Sequence, residues 1–215
     1  MPVVLGPEKP NAAAAEAQFL QELVSEFPRF RIVYKSRNTL SKVLDKALRV
    51  LSLGKQQRYL THYRTVIGDT LYVPEAWNET APVDRLICLL HERVHLRQRR
   101  RYGTVGMAVL YLMLPLPAGL AWFRARMEWE AYTETLRATA EWYGLGAVKS
   151  PLLRAAMIER FAGPDYLWMW PFRERVGGWF DAVIQELEAS AAVGETTPVD
   201  DGADHGEPRC SSRAP

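Results

Sequence analysis

The sequence predicts a mainly helical α+β fold, one domain over residues 1–189 and a disordered tail over 190–215. Three observations carry that expectation. Apolar residues recur at helical spacing through several long segments punctuated by proline and glycine, and short alternating segments gather before position 75. After Ser190 the chain runs through Gly, Pro, Ser, Thr and Asp with almost no large apolar side chain, so it has nothing with which to bury itself. At 215 residues, 48% hydrophobic and 24% charged, the remainder is long enough for a sizeable core.

Taken in order, Asn11 to Phe27 reads as an amphipathic helix capped by Asn11 and stopped by Pro28, and Phe30 to Tyr34 alternates as a short strand. Thr39 to Leu53 is a further helix closed by Gly54. Arg58 to Tyr63 and Thr70 to Val73 read as strands joined around Gly68-Asp69, with Pro74 ending the second. Thr80 as N-cap and Pro82 in the first turn open the next helix, along which Val83, Leu86, Ile87, Leu90 and Val94 recur at helical spacing. Ala121 to Tyr143 is a second long helix, closed by Gly144-Leu145-Gly146, and Pro151 to Phe161 is a third. Gly163 to Phe172, with Tyr166, Trp168 and Trp170, is an aromatic loop that builds core before a last helix. There is no internal repeat.

Within the first long helix stands His91-Glu92-Arg93-Val94-His95. A helix sets histidines at i and i+4 one turn apart on one face, where both imidazoles reach one cation and the carboxylate between them reaches the water it activates. With Val83 at zero on a wheel of about 100° per residue, His91 and His95 fall at roughly 80° and 120°, flanking the buried stripe. A partly enclosed metal sits at such an edge.

A catalytic zinc needs a third protein ligand. The other nitrogen and sulfur donors are scattered: His62 on a predicted strand, Cys88 one turn before His91, His205 and Cys210 in the tail. A carboxylate from the second long helix is the better candidate. Glu128 and Glu130 are about 200° apart there, so only one faces the site. Glu128 shares its side with Ala121, Ala125, Ala131, Tyr132, Thr135, Thr139 and Trp142, a small and aromatic face suited to packing against a helix. Glu130 shares its side with Arg126, Glu134, Arg137 and Glu141, which reads as solvent and leaves Glu128 as the predicted third ligand.

On these residues Pro82 to Tyr143 resembles the gluzincin-type metallopeptidases, in which an H-E-x-x-H helix is completed by a glutamate on a later helix. It is most similar to the minimal and membrane-linked members that carry an E-x-x-A-D element. Glu128-Trp129-Glu130-Ala131-Tyr132 matches that element at its glutamate and alanine; Tyr132 stands where the family has an aspartate that orients a zinc-binding histidine. The resemblance implies a zincin-like active-site helix preceded by a small sheet, zinc on His91, His95 and Glu128, and Glu92 as general base for a peptide or protein substrate. In zincin folds an edge strand of that sheet can pair with an extended substrate, and here the strands equally suit a purely covering role. Tyr132 and Tyr166 are two candidates for a hydrogen bond to the oxyanion.

The expectation for function is therefore a zinc-dependent hydrolase, most directly a metallopeptidase, against the alternative of a catalytically silent binding or membrane-associated protein on the same scaffold. Net charge of +2 asks for no polyanionic partner, and the arginines of 97–101 read as a solvated helix end, not a nucleic-acid contact. Two distant cysteines and the lack of an apolar run in Met1 to Pro10 predict a reducing, cytoplasmic setting. Val105 to Phe123 is nineteen residues without a charge, broken by Gly106, Pro115, Pro117 and Gly119. A single membrane crossing there would part His95 from Glu128 by roughly 30 Å of hydrocarbon. Two readings are compatible with a shared metal: an ordinary core hairpin, or an apolar hairpin dipping into a membrane surface, with Arg97, Arg99, Arg100, Arg101, Arg124 and Arg126 at the headgroups.

Overall fold

Among the described residues, two long helices packed side by side carry the rest of the fold. The computed structural model describes residues 11–35, 65–112, 121–163 and 169–195. Helix α1 (Ala12–Glu26) starts from Asn11, whose backbone is left-handed (φ 75) and whose side chain makes no capping bond; asparagine is among the few residues that tolerate this region. Strands β1 (Arg31–Tyr34), β2 (Thr65–Ile67) and β3 (Thr70–Val73) form a sheet of order β1-β3-β2, with β1 parallel and β2 antiparallel to β3. The turn at Gly68-Asp69 is where the sequence places it, and Gly68 takes the positive φ (63) that such a two-residue turn demands at its first position. The strand it joins to β3 is Thr65–Ile67; the segments Arg58 to Tyr63 and Thr39 to Leu53, and with them His62, lie outside the described residues.

After a 3-10 turn (Glu75–Glu79), helix α2 (Pro82–Leu112) begins one residue later than Thr80 would cap it. The Thr80 hydroxyl donates back to the Ala76 carbonyl at 3.2 Å, closing the 3-10 turn, and the Arg85 N–H bonds to the Ala81 carbonyl at 3.0 Å. The capping expected of Thr80 is thus corrected: its side chain is spent on the preceding turn. At Gly103 (φ 72, ψ 165) α2 breaks, a conformation glycine adopts without a Cβ penalty. Helix α3 (Trp122–Tyr143) ends at Gly144, α4 (Leu145–Val148) is a single turn, α5 (Pro151–Ala162) starts with proline in its first turn, and α6 (Arg173–Glu195) completes the described chain. The last helix continues to Glu195, so the compositional change at 190 falls inside it; residues 189–193 are exposed, and helix geometry outlasts burial there by more than a turn.

Helices α2 and α3 run antiparallel. Asp84 meets Tyr143 (3.0 Å), His91 meets Thr135 (3.0 Å) and Gln98 meets the Met127 carbonyl (3.0 Å), three contacts in descending register along the pair. On one side of this pair, Phe19, Leu23 and Phe27 of α1 and Leu71 and Val73 of β3 close over Leu86, Leu89 and Leu96. On the other, Met157 and Phe161 of α5 and Val176, Phe180 and Ile184 of α6 pack on Trp129, Tyr132 and Leu136 of α3. The aromatic loop contributes to core as expected at Trp170, which stacks on Trp179 (6.4 Å, 13°); Tyr166 and Trp168 lie outside the described residues.

Ion pairs pin α1 and the sheet to α2. Arg85 forks onto buried Glu16 (2.6 Å at both oxygens), Arg97 onto Glu26 (2.8 Å at both), Arg100 also reaches Glu26 (3.1 Å), and Arg99 pairs with Asp69. The arginine run is in this way largely spent inside the molecule. Beyond Gly103 the chain exposes Val105 (76%), with Tyr102 before the break and Trp122 and Phe123 at the start of α3 also exposed. Among the described residues no helix is long and apolar enough to cross a membrane; residues 113–120 are outside them.

Candidate metal centre

The antiparallel pairing of α2 and α3 settles which residues of the two motifs meet. His91 and His95 leave α2 one turn apart, and Glu128 of α3 stands opposite both. Their Nε2 atoms are 3.2 Å apart, and each is 3.9 Å from Glu128 Oε2. All three offer a donor atom within 4.8 Å of the others, a grouping among the described residues that could hold a metal ion. Glu130, two residues on, is turned away: it accepts from Gln98 (3.0 Å) and Arg126 (3.3 Å) and is exposed. Glu92, between the histidines on α2, is buried.

The hydrogen bonds behind the imidazoles assign their tautomers. Thr135 has one hydroxyl proton and donates it to the Ala131 carbonyl (3.1 Å), so its oxygen accepts from His91 Nδ1–H (3.0 Å). Gln98 donates its amide hydrogens to the Met127 carbonyl and Glu130 (3.0 Å each), which turns its carbonyl oxygen onto His95 Nδ1–H (3.0 Å). With both Nδ1 positions carrying hydrogen, two Nε2 lone pairs face each other across 3.2 Å with a carboxylate oxygen close by. A cation, or a hydrogen-bond donor, placed between them would relieve that arrangement.

The geometry fits zinc. Bonds of about 2.0–2.1 Å to a tetrahedral ion put neighbouring donor atoms about 3.3 Å apart, close to the observed 3.2 Å between the histidines, and the 3.9 Å separations to Glu128 need only a small side-chain adjustment. Two histidines and a glutamate are also a donor set that leaves a fourth position open.

Burial sets the electrostatics. It holds His91 well below the usual imidazole range, with the neighbouring His95 ring and the Arg160 charge adding to the effect, and so keeps the ring a neutral ligand. The same burial pushes the Glu128 carboxyl up to about 7, opposed by the Arg160 charge. Arg160 comes from α5: its Nη1 donates to the Tyr132 hydroxyl at 2.8 Å, and the Tyr132 ring packs edge-on against His91 at 4.8 Å.

Sequence reasoning brought His91, His95 and Glu128 to one place and rejected Glu130, and the structure puts them where that reasoning does. It missed Gln98, Thr135 and Arg160. Gln98 lies seven residues after His91 and Thr135 seven after Glu128, two turns along the same stripes, so a polar residue at that spacing was a usable signal. Between them they do the orienting for which Tyr132, in place of an aspartate, left no owner. Arg160 arrives from a separate helix and has no such signature. Comparison with known proteins adds no relative: no family model, curated sequence or solved structure matches the chain.

Proposed function

We propose that this chain is a zinc-dependent hydrolase on a zincin-like scaffold, most directly a metallopeptidase acting on peptide or protein substrates. The observation that carries the reading is the buried Glu128 carboxylate set opposite two imidazoles whose Nε2 lone pairs are turned inward by Thr135 and Gln98. Zinc bound there supplies a Lewis acid for the scissile carbonyl and lowers the pKa of water. Glu92, one residue after His91 and buried, acts as the base: it takes a proton from the attacking water as the C–O bond forms, then passes it to the amine as the C–N bond breaks. The alternative is a catalytically silent binding protein on the same scaffold, in which buried Glu92 serves only the fold.

The test is Glu92→Gln, which keeps the shape of the side chain and removes the base. Cleavage of an unstructured protein such as casein should fall by at least a hundredfold while zinc stays bound. Retained cleavage, or loss of zinc together with activity, would contradict the role given to Glu92. For location we propose a cytoplasmic protein that touches an anionic membrane surface with the exposed Tyr102, Val105, Trp122 and Phe123, beside exposed Arg101. Co-sedimentation with vesicles containing phosphatidylserine, lost in a Trp122→Ser, Phe123→Ser double variant, is the expected result. Equal recovery with neutral vesicles contradicts it.

A further inference from the structure

A fixed positive charge next to a cation site is unfavourable by Coulomb's law, so an arginine held there calls for a reason. Arg160 is such a residue. It reaches from α5 across to α3, donates from Nη1 to the Tyr132 hydroxyl at 2.8 Å and lies with its guanidinium carbon 5.4 Å from the Tyr132 ring centroid. The Tyr132 ring in turn packs 4.8 Å from the His91 ring, edge-on, so that arginine, tyrosine and zinc-ligand candidate form one contiguous line. Tyr132 is buried and fixed on three sides, by His91, by Phe161 (5.6 Å) and by Arg160 itself, while Arg160 keeps solvent exposure. The line runs from the inward-facing imidazole to a guanidinium that retains solvent exposure.

Two purposes account for a cation at this place. One is internal: Arg160 favours the ionised form of Glu128 and thereby helps it serve as a ligand. The other concerns the reaction: when water attacks a carbonyl, its oxygen gains a full negative charge, and a pre-oriented guanidinium stabilises that charge without reorganising. The anchoring on Tyr132 serves the second purpose better than the first, since a charge that only needs to be near Glu128 has no need of a defined direction.

We propose that Arg160, directed by the Tyr132 hydroxyl, is the oxyanion-binding residue of this site. As the water oxygen bonds to the carbonyl carbon and Glu92 takes the proton, the C=O π pair moves onto oxygen, and an Arg160 N–H donates to that oxygen until the C–N bond breaks and the pair returns. Tyr132 is a positioning residue, acting through Arg160. The inference rests on the hydrolase reading above and names one more participant in it.

The experiment measures two affinities of the full-length protein in parallel: zinc, by competition with a chelating dye, and a peptide phosphonate, whose tetrahedral anion imitates the attacked carbonyl, by calorimetry on the zinc-loaded form. Arg160→Met should bind zinc within about threefold of wild type and the phosphonate about a hundredfold more weakly. Arg160→Lys, which keeps the charge and a donor for Tyr132, should recover about tenfold of that loss. Tyr132→Phe, which frees the guanidinium from its anchor, should weaken the phosphonate by about tenfold with zinc affinity unchanged. Phosphonate affinity unchanged in Arg160→Met, a lysine variant no better than methionine, or a zinc-loaded wild type that does not bind the phosphonate overturns the assignment. A fall in zinc affinity as large as the fall in phosphonate affinity also overturns it, by making Arg160 a support for Glu128. Failure of wild type to bind zinc at all is a separate result, and removes the hydrolase reading itself.

Discussion

Glu128 and Glu130 are the same residue type, two positions apart on one helix, in two different physical worlds. Glu128 is enclosed between α2 and α3, where burial pushes its carboxyl up to about 7 and two imidazole nitrogens face it at 3.9 Å. Glu130 lies at the rim, exposed, sharing itself between Gln98 and Arg126. A rotation of about 200° separates a candidate ligand from a surface charge, so the sidedness of α3 decides more than the count of carboxylates near the motif. Glu130 is not irrelevant: it accepts from the same Gln98 whose carbonyl oxygen holds His95, and so touches the site through one intermediary.

The largest effect should separate the two outright. Glu128→Ala removes one of three protein donors and should weaken zinc by about a thousandfold or more, read by chelator competition. Glu130→Ala should cost no more than about threefold, because Gln98 keeps its second bond to the Met127 carbonyl. A reversed order would mean that α3 is turned by half a revolution relative to α2.

The next effects come from the residues that hold the imidazoles. Thr135→Val removes the hydroxyl that accepts from His91 Nδ1–H at nearly constant volume, and Gln98→Leu removes the amide oxygen that accepts from His95; each should weaken zinc by about 10- to 100-fold. Thr135→Ser, which retains the hydroxyl, should bind as wild type. Equal affinity in the valine and serine variants would show that the tautomers are not held from behind.

The smallest effect is in pH. Glu128 is protonated below its raised pKa of about 7 and must lose that proton to bind a cation, so zinc affinity should fall as pH drops through 7, by about tenfold between pH 8 and pH 6. His91 does not add to this window, because burial holds its own titration well below 6.5. Glu128→Gln, which has no proton to lose, should bind weakly and with a flatter profile over the same range. An equally steep profile in that variant would place the titrating group elsewhere.

How much of this was legible from the sequence follows from the range of each interaction. The helical run around Val83, Leu86 and Ile87 and the two faces of α3 depend on periodicity within one segment, and both helices form where that periodicity places them. The choice of Glu128 over Glu130 needed only the wheel and the small residues on its side. Thr80 was misread because its hydroxyl had a competing acceptor, the Ala76 carbonyl, that belongs to a turn the periodicity does not reveal. The His91–Thr135 bond depends on which residues of α2 and α3 lie level, a register that becomes visible only when the pair is assembled, whereas Gln98 holds His95 from three residues along the same helix. Arg160 depends on a third helix packing against the second, and no local pattern announces it. The closer an interaction stays to one element, the more of it the sequence discloses.

The central claim is that His91, His95 and Glu128 hold one zinc ion, and metal analysis of the reconstituted protein tests it most directly. After removal of metal, incubation with zinc and gel filtration, elemental analysis should give one zinc per wild-type chain, and less than about one tenth of that in the His91→Ala, His95→Ala and Glu128→Ala variants at the same protein concentration. A wild-type chain that emerges folded and without zinc, or variants that retain it as wild type does, would contradict the account.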